Sequence, residues 1–344
     1  MGALNEPMSA VKRAVNRSPV LYRCLYSLAT LNLDYTKQLL NRSKYPSKYG
    51  GMWTDRSDFE TLVRRKSNSG ELGPEMEASV RRWREDGFVV LNGAIDPAMI
   101  DTYLDELEAL KRESPSSLWV TSVHFQKPQR YDPDLIKIHD SVRIVDDYFF
   151  SSASRALLFH PAIITFLKVV FESQPLLTQS LSFKYGSEQA VHQDTAFVRM
   201  NSPFKLAAAW IALEDVEPGC GELVYYPGSH RWPDFLFSDR FKHYNKIRDG
   251  ADVLDAWYRW IHEEAARRGT DLMSFRARKG DVLLWHAGLA HGGAPISEPS
   301  ASRLSLVGHY CPRGVRPLYH LYKFSHRKLY RDRDRLYCSS YYRG

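Results

Sequence analysis

Cysteines are few in this chain, and it has no long apolar run. Its four cysteines (Cys24, Cys220, Cys311 and Cys338) are widely spaced in 344 residues and form no Cys-x-x-Cys pair, so neither a disulfide framework nor a zinc site is predicted. The longest apolar runs, such as residues 206–211, are far short of the roughly 20 residues that a membrane-spanning helix needs. Charged residues also interrupt the start of the chain, where a signal peptide has an apolar region. We therefore expect a protein without a membrane span in a reducing compartment, most simply the cytoplasm.

Excess charge of one sign is confined to the C-terminus. The formal net charge of the chain is +7, and residues 312–344 hold nine Lys and Arg against two acidic residues. Residues 1–311 are therefore balanced. A basic tail can bind nucleic acid, an acidic substrate or a membrane surface, and it can equally be a solvated terminus. Six tyrosines in this stretch predict that part of it packs on the body.

The sequence pattern divides the chain into three parts. Residues 1–73 are expected to form an N-terminal extension that packs on the body, with a helix around Pro19–Leu40; for the first residues the alternative is an unpacked arm. Residues 74–312 carry the clearest periodicity and are expected to form the main domain. Residues 313–344 form a basic, Tyr-rich C-terminal tail.

Helices are predicted early in the main domain and strands later. Apolar residues recur at helical spacing before Gly87, after Asp96 and after Pro161, and a short strand is predicted at Phe88–Leu91. Seven β-like runs separated by Gly, Pro and Asn follow: 177–185, 191–198, 206–213, 221–226, 274–277, 281–285 and 303–311. One apolar stripe at helical spacing, 253–261, interrupts them. This order predicts a mainly β fold with flanking helices, as a sandwich or jelly roll; we favour a double-stranded β-helix (jelly roll, cupin-like) core.

Two groups of polar residues in the second half can supply metal ligands. His192 and Asp194 are two apart on a predicted strand, so their side chains should point to the same side. About 100 residues later His286 and His291 follow a Gly-Asp turn, and Arg303 opens another predicted strand. Two histidines and one carboxylate can bind non-haem Fe(II) and leave coordination positions open. The order of the motifs predicts a metal site whose distal histidine is either His286 or His291.

In this order the motifs resemble the phytanoyl-CoA dioxygenase family of Fe(II)/2-oxoglutarate-dependent oxygenases. The resemblance covers about Met76 to Pro312. It rests on these segments: Asp86–Leu91, His192–Asp194, Trp210 with Glu214-Asp215, Gly221–Leu223 running to Pro227–His230, Gly280-Asp281 through His291-Gly292, and Arg303. It implies a jelly-roll dioxygenase that oxidises a small molecule, most simply by hydroxylation, with release of succinate and CO2.

The resemblance implies that His192, Asp194 and His291 ligate iron, with 2-oxoglutarate as co-substrate, O2 as oxidant and ascorbate in support. It favours His291 over His286 because the family uses the second histidine, and the glycines after it allow close approach of the backbone. Iron halogenases of this fold keep a small residue at the carboxylate position. Asp194 therefore favours hydroxylation or a related oxidation.

The resemblance also implies a set of co-substrate contacts. Arg303 would bind the far carboxylate of 2-oxoglutarate, for which its planar guanidinium offers a bidentate fork. Ser305, two residues along the same strand, could add a hydroxyl. The family places further contacts at the positions of Lys137 and Trp210, although Trp210 could equally be a core residue. His230, in a Pro-Gly-Ser-His turn, is interpreted as a structural residue.

The substrate is less defined by the sequence. An insert of aromatic and basic residues, Trp232–Gly250, is either a lid or a surface loop, and its basic residues would suit an acidic or phosphate-bearing small molecule. Two other functions stay open. One is a jelly-roll protein that binds a metal or ligand without turnover. The other is a nucleic-acid binder acting through the tail, which is disfavoured because no nucleic-acid module is present. The sequence predicts no oligomeric state.

Overall fold

The computed structural model describes most of the chain: residue 18 and residues 44–125, 127–137, 141–318 and 328–342. The helix expected around Pro19–Leu40 lies outside these residues. The described α-helices are α1 (Phe59–Asn68), α2 (Pro74–Asp86), α3 (Pro97–Glu113), α4 (Ser152–Leu158), α5 (Pro161–Phe171), α6 (Asp194–Phe197), α7 (Lys246–Asp249) and α8 (Ala251–Arg268).

The strands form two sheets. The larger sheet contains β1 (Phe88–Leu91), β2 (Trp119–Thr121), β3 (Gln129–Arg130), β4 (Arg143–Val145), β5 (Pro175–Phe183), β6 (Ala207–Ala212), β9 (Val282–His286), β11 (Ser305–Pro312), β12 (Tyr330–Asp332) and β13 (Arg335–Tyr337). The smaller sheet contains β7 (Leu223–Tyr225), β8 (Met273–Phe275) and β10 (His291–Gly293). The order in the larger sheet is β1-β9-β6-β11-β5-β4-β2-β3, and in the smaller sheet β10-β7-β8.

The helices that precede the sheets begin and end where the sequence predicts. Gly87 ends α2 in the left-handed region, at φ 81°, and its N–H donates to Trp83 O. Asp96 caps α3 by accepting a hydrogen bond from Ala98 N. Pro161 occupies the first turn of α5, where its missing N–H costs nothing. These three predictions are confirmed.

Each face of the larger sheet packs against a different layer. The outer face packs against helices α2, α3 and α5 through a large apolar core that includes Trp83, Tyr103 and Phe166. The inner face packs against the smaller sheet through a second core that includes Trp210 and Trp285. Alternation along each strand assigns neighbouring residues to opposite faces. The two facing sheets with a filled interior form the jelly-roll core that the sequence predicts.

The run 191–198 is the clearest departure from the sequence prediction. It is not a strand: His192 makes an isolated bridge with His291, and Asp194 begins the single-turn helix α6. His192 and Asp194 therefore do not share a strand face, and that prediction is wrong. The residues converge because the chain turns into a helix directly after the bridge, which brings the Asp194 carboxylate back towards both histidines.

The insert Trp232–Gly250, which follows β7, packs as part of the body. Phe237 is fully buried against Trp257 of α8, with ring centroids 5.4 Å apart. Two of its basic residues form ion pairs within the insert, Lys242 with Asp234 and Arg248 with Asp249. None of these residues lines the cavity described below.

Part of the C-terminal tail also belongs to the larger sheet. Strand β13 pairs in parallel with β5, and β12 pairs with β13. Beyond them Ser339 Oγ donates to Asp146 Oδ2, and the buried Tyr342 accepts from Trp119 N. The prediction that the tyrosine-rich stretch packs on the body is confirmed for these residues.

Within the described ranges no single helix is both long and apolar enough to cross a membrane. The bent pair formed by α4 and α5 is long and apolar enough when both helices are taken together, by length and composition alone.

Candidate metal centre

Three side chains meet at the inner face of the jelly roll. His192, Asp194 and His291 are all buried, and one potential ligand atom from each lies within 4.8 Å of the others. The two histidines are held side by side by a reciprocal pair of backbone hydrogen bonds, His192 N to His291 O and His291 N to His192 O, both 2.8 Å. Their ring centroids are 4.5 Å apart. The fold therefore fixes both imidazoles through the backbone.

Backbone carbonyls set the tautomer of both histidines. Nδ1 of His192 lies 2.9 Å from Ala190 O, and Nδ1 of His291 lies 2.9 Å from Leu289 O. Because a carbonyl can only accept, each Nδ1 carries the proton, and each Nε2 keeps its lone pair. The two Nε2 atoms lie 4.0 and 3.8 Å from Asp194 Oδ1. The site thus presents two imidazole lone pairs and one carboxylate oxygen to a common point, as metal ligands require.

The charge states of these groups suit a metal. Burial, together with the neighbouring His291, lowers the pKa of His192 to about 3, so its imidazole is neutral. Burial alone would raise the pKa of Asp194, but His291 and His309 hold it below its ordinary value. A neutral imidazole and an ionised carboxylate are the forms that bind a metal.

Two further side chains contact the carboxylate, and sequence reasoning missed both. The indole Nε1 of Trp285 donates to Asp194 Oδ2 at 2.8 Å, and Nε2 of His309 lies 3.6 Å from Asp194 Oδ1. A signal for His309 was present, because it follows Arg303 by an even number of residues and so shares its face of β11. Trp285 has no comparable signal, since aromatic residues are common in buried strands.

Arg303 lines the same cavity, and no carboxylate among the described residues forms an ion pair with it. It is 2% exposed, its Nη1 donates to Gly221 O at 3.0 Å, and its Nε has no hydrogen-bond partner among the described residues. Its guanidinium carbon lies 5.8 Å from the ring centroids of both Phe183 and Trp210. Burial lowers the pKa of Arg303 to about 10, so it remains charged at neutral pH. An unpaired buried cation is costly unless an anion joins it, which makes Arg303 a natural anion-binding group.

Comparison with known proteins shows the family. A family model described as phytanoyl-CoA dioxygenase (PhyH) matches residues 83–303, more than half of the chain. The chain belongs to the phytanoyl-CoA dioxygenase family. The predicted family, jelly-roll core and enzyme class are confirmed.

Relatives with names that describe a reaction are distant. A 1-deoxypentalenic acid 11-beta-hydroxylase of Streptomyces arenae is 25% identical over 253 residues, which cover 67% of this chain and 80% of the relative. A phytanoyl-CoA dioxygenase domain-containing protein 1 homolog of Dictyostelium discoideum is 23% identical over 270 residues, 68% of this chain and 90% of the relative. Among solved structures, the epimerase SnoN in complex with Fe3+, alpha ketoglutarate and nogalamycin RO shares the fold, with a TM-score of 0.50 and 21% identity over 71% of this chain and 86% of that chain.

As a phytanoyl-CoA dioxygenase family member, this protein is an Fe(II)/2-oxoglutarate-dependent dioxygenase with iron as cofactor and 2-oxoglutarate as co-substrate. The described residues fit both. Two imidazoles and a carboxylate suit the metal. The unpaired Arg303 suits a dicarboxylate.

The other predicted co-substrate residues separate into two groups. Ser305 is fully buried, shares the face of Arg303, and its hydroxyl has no hydrogen-bond partner among the described residues. Trp210 lines the cavity, and its indole nitrogen also lacks such a partner. Ser305 itself does not line the cavity, and the contact of either residue with the co-substrate stays a prediction. Lys137 is exposed and does not line the cavity, so the structure does not bring it together with the others.

The two remaining histidines lie elsewhere. His286 is next to Trp285 on β9 and points to the opposite face, where its Nε2 lies 3.4 Å from Asp55 Oδ2. His230 is beside it, with ring centroids 5.2 Å apart, and its Nε2 lies 3.2 Å from Arg84 O. The structure therefore groups His291, and not His286, with His192 and Asp194.

Proposed function

We propose that this chain hydroxylates a small molecule, using Fe(II) held by His192, Asp194 and His291. The observation that carries the proposal is the meeting of these three side chains in one buried cavity with the unpaired Arg303. Iron bound here would couple the oxidative decarboxylation of 2-oxoglutarate, which yields succinate and CO2, to oxidation of the substrate by O2. Ascorbate would serve as a supporting reductant.

The protein's own part is binding and orientation. Arg303 is placed to pair with the far carboxylate of 2-oxoglutarate through a charge-assisted fork. Ser305 and the indole of Trp210 are buried donors that can complete the hydrogen bonding of the same ligand. The surrounding apolar residues exclude water, which strengthens each of these interactions. Because Asp194 supplies a carboxylate, the site favours hydroxylation over halogenation.

We further propose that the substrate carries a carboxylate, and that Arg143 binds it. Arg143 is directly opposite Phe183 in the pairing of β4 with β5, so both side chains lie on the inner face. Its guanidinium carbon is 5.9 Å from the Phe183 ring centroid, and Phe183 lines the metal cavity. A second arginine beside Arg303 thus reaches the margin of the site.

The hydrogen bonds of Arg143 leave one edge of its guanidinium free. Nη1 donates to the carbonyl and the hydroxyl of Ser141, both at 3.1 Å. Nε is shielded from solvent without a partner, and no carboxylate among the described residues pairs with Arg143. Burial lowers its pKa to about 10, so it is charged at neutral pH. The free Nε–Nη2 edge presents two parallel N–H groups, which match one carboxylate.

The rest of the substrate should be apolar. The Phe197 ring is 37% exposed although it lies 5.6 Å from the His192 ring, and it also contacts Trp257 of α8 at 5.8 Å. An exposed aromatic ring beside the metal ligands suits an apolar carbon skeleton with the C–H bond to be oxidised. The relative from Streptomyces arenae is named as the hydroxylase of a carboxylic acid, which agrees with this substrate class.

Substrate-dependent succinate release tests the proposal, with Fe(II), ascorbate and 2-oxoglutarate present. Apolar carboxylic acids are screened beside their methyl esters, and we expect turnover of acids over esters. For an acid that is turned over, Arg143→Gln should raise KM roughly 10- to 100-fold, since a hydrogen bond to a charged group contributes about 1.5–3 kcal/mol.

The matched control is Arg130→Gln, which removes an exposed positive charge from the same sheet. If Arg143→Gln instead weakens 2-oxoglutarate binding and leaves the KM of the acid unchanged, Arg143 is a co-substrate contact. Failure of every acid and ester to release succinate would count against hydroxylation of this substrate class.

We also propose the cytoplasm as the location. Cys220, Cys311 and Cys338, which are buried in the described part of the chain, are free thiols, as expected in a reducing compartment.

A further inference from the structure

The two oxygens of Asp194 have different partners. Oδ2 accepts a 2.8 Å hydrogen bond from the indole of Trp285. Oδ1 is turned towards three imidazoles, at 4.0, 3.8 and 3.6 Å from the Nε2 atoms of His192, His291 and His309. The side chain of Asp194 is 5% exposed, so water does not compete for either oxygen. One oxygen is thus held by the protein and the other faces the metal position.

The fold places Trp285 where it can act on two ligands at once. It pairs with Ala208 in the contact of β9 with β6, near the end of β9, and its side chain points to the inner face. Its ring lies 4.6 Å from the His291 ring, at an interplanar angle of 48°. Trp285 is 2% exposed. Burial and the contact with the His291 ring therefore hold its rotamer and the direction of its N–H group.

We propose that Trp285 is a positioning residue for the metal, and that it acts by holding Asp194 in the orientation that directs Oδ1 alone to the ion. This inference rests on the metal site proposed above. Without the indole N–H, the buried carboxylate would lose its hydrogen bond and could turn its second oxygen towards the ion or towards His309. A carboxylate that binds through both oxygens would occupy a coordination position that the co-substrate or O2 needs. Partners of this kind typically change metal affinity or activity 10- to 100-fold when they are removed.

The substitution that isolates the N–H group is Trp285→Phe, which keeps an aromatic ring and removes the donor. A matched control exists in the outer core. Trp83 is also fully buried, and its indole nitrogen has no hydrogen-bond partner among the described residues. Trp83→Phe therefore deletes the same atoms from a similar environment and leaves Asp194 untouched.

The readout is metal affinity of the apoprotein, which does not require turnover. Mn(II) is titrated into the wild-type protein and both variants, and free Mn(II) is followed by electron paramagnetic resonance. We expect the dissociation constant to rise about 10- to 100-fold in Trp285→Phe and to stay within about twofold of wild type in Trp83→Phe. Thermal unfolding of the three apoproteins shows whether the two substitutions cost similar stability.

The outcomes separate this inference from the metal site itself. If the wild-type protein does not bind Mn(II), the metal site is wrong. If the wild type binds and Trp285→Phe binds equally well, Trp285 is only a packing residue and the inference is overturned. Should Trp285→Phe fail to fold, site-specific replacement by 3-benzothienyl-alanine keeps the shape of the indole without its N–H, and the same loss of affinity is expected.

Discussion

Two clusters, each of two histidines and one aspartate, lie on opposite faces of the same sheet. The inner cluster consists of His192, Asp194 and His291, and the outer cluster consists of Asp55, His230 and His286. They have the same residue types, and His286 and His291 are only five residues apart. The geometry of the inner cluster suits a metal ion, and that of the outer cluster does not.

The backbone partner of each imidazole explains the difference. In the inner cluster Nδ1 of both histidines donates to a carbonyl, so both Nε2 lone pairs face Asp194. In the outer cluster Nδ1 of His286 accepts a hydrogen bond from Gly288 N at 3.0 Å, so its Nε2 carries the proton and faces Asp55. An imidazole with this tautomer has no lone pair to offer. Residue type alone does not make a metal site. The hydrogen bond on the other ring nitrogen of each histidine determines whether its imidazole can bind a metal.

The largest expected effect comes from removing the carboxylate of one cluster or the other. Asp194→Ala should weaken Fe(II) or Mn(II) binding by more than about 100-fold and should abolish turnover. This loss of affinity exceeds the usual effect of removing a residue that only hydrogen-bonds to a metal ligand. Asp55→Ala should leave metal affinity near that of wild type, because Asp55 faces His286 of the outer cluster and not the inner histidines. Metal titration of both apoproteins measures this. Equal losses of metal affinity in the two variants would show that the two clusters do not differ in metal binding.

Substituting His291 and His286 in turn tests the difference between the inner and the outer cluster within one segment of the chain. His291→Ala should eliminate turnover. His286→Ala should retain a measurable fraction, while losing on the order of 2 kcal/mol or more of unfolding free energy, because it leaves a cavity and removes the imidazole that faces Asp55. Initial rates and denaturant unfolding separate the two effects. The reverse pattern would assign the ligand to His286.

The inner face also holds a buried cation, Arg303, whose Nε has no hydrogen-bond partner among the described residues. Arg303→Ala should lower the affinity for 2-oxoglutarate roughly 30-fold or more, since truncating one partner of a buried charge pair costs about 2–5 kcal/mol. Iron affinity should change little, and Arg303→Lys should rescue binding only in part, because an ammonium lacks the fork. An anaerobic titration of the Fe(II) protein, followed by its visible charge-transfer band, gives the dissociation constant. An unchanged value in Arg303→Ala would remove Arg303 from the site.

The smallest expected effect is a pH dependence that arises in the outer cluster. Burial, with the adjacent His286, lowers the pKa of His230 to about 3, whereas an unfolded histidine has a pKa near 6.5. Between these values the unfolded chain binds the proton and the folded chain does not. Stability from His230 is therefore complete above about pH 6.5 and is lost as the pH falls towards 3.

In numbers, the contribution of His230 to the unfolding free energy should fall by on the order of 1–2 kcal/mol between pH 7 and pH 5. His230→Gln should flatten that slope, and the control His124→Gln, at an exposed position, should not. Urea unfolding across this pH range provides the comparison. A slope that is the same in all three proteins would show that His230 does not contribute.

The sequence predicted which residues form the site, but not the local backbone structure that brings them together. Helix ends at Gly87, Asp96 and Pro161 follow from capping chemistry that acts within a few residues, and these were correct. The sequence predicts a strand around Asp194 because short apolar runs between turn residues are typical of strands. Its turn into a helix is imposed by the bridge between His192 and His291, which joins segments about 100 residues apart.

The supporting groups could not be predicted for the same physical reason. That Trp285 faces Asp194, that Arg143 lies opposite Phe183, and that His309 approaches the carboxylate are all consequences of strand register. Register depends on pairing between distant segments and is not encoded in local spacing. The choice of His291 over His286 came from resemblance to a family, and the tautomers that explain it became visible only with the backbone in place.

Anomalous diffraction from crystals of the protein loaded anaerobically with Fe(II) tests the central claim most directly. Data collected on either side of the iron absorption edge locate the metal without reference to activity. We expect one strong peak within bonding distance of the Nε2 atoms of His192 and His291 and of Asp194 Oδ1. The indole of Trp285 should still donate its hydrogen bond to Asp194 Oδ2. A peak beside His286 and Asp55, or iron held without Asp194, would contradict it.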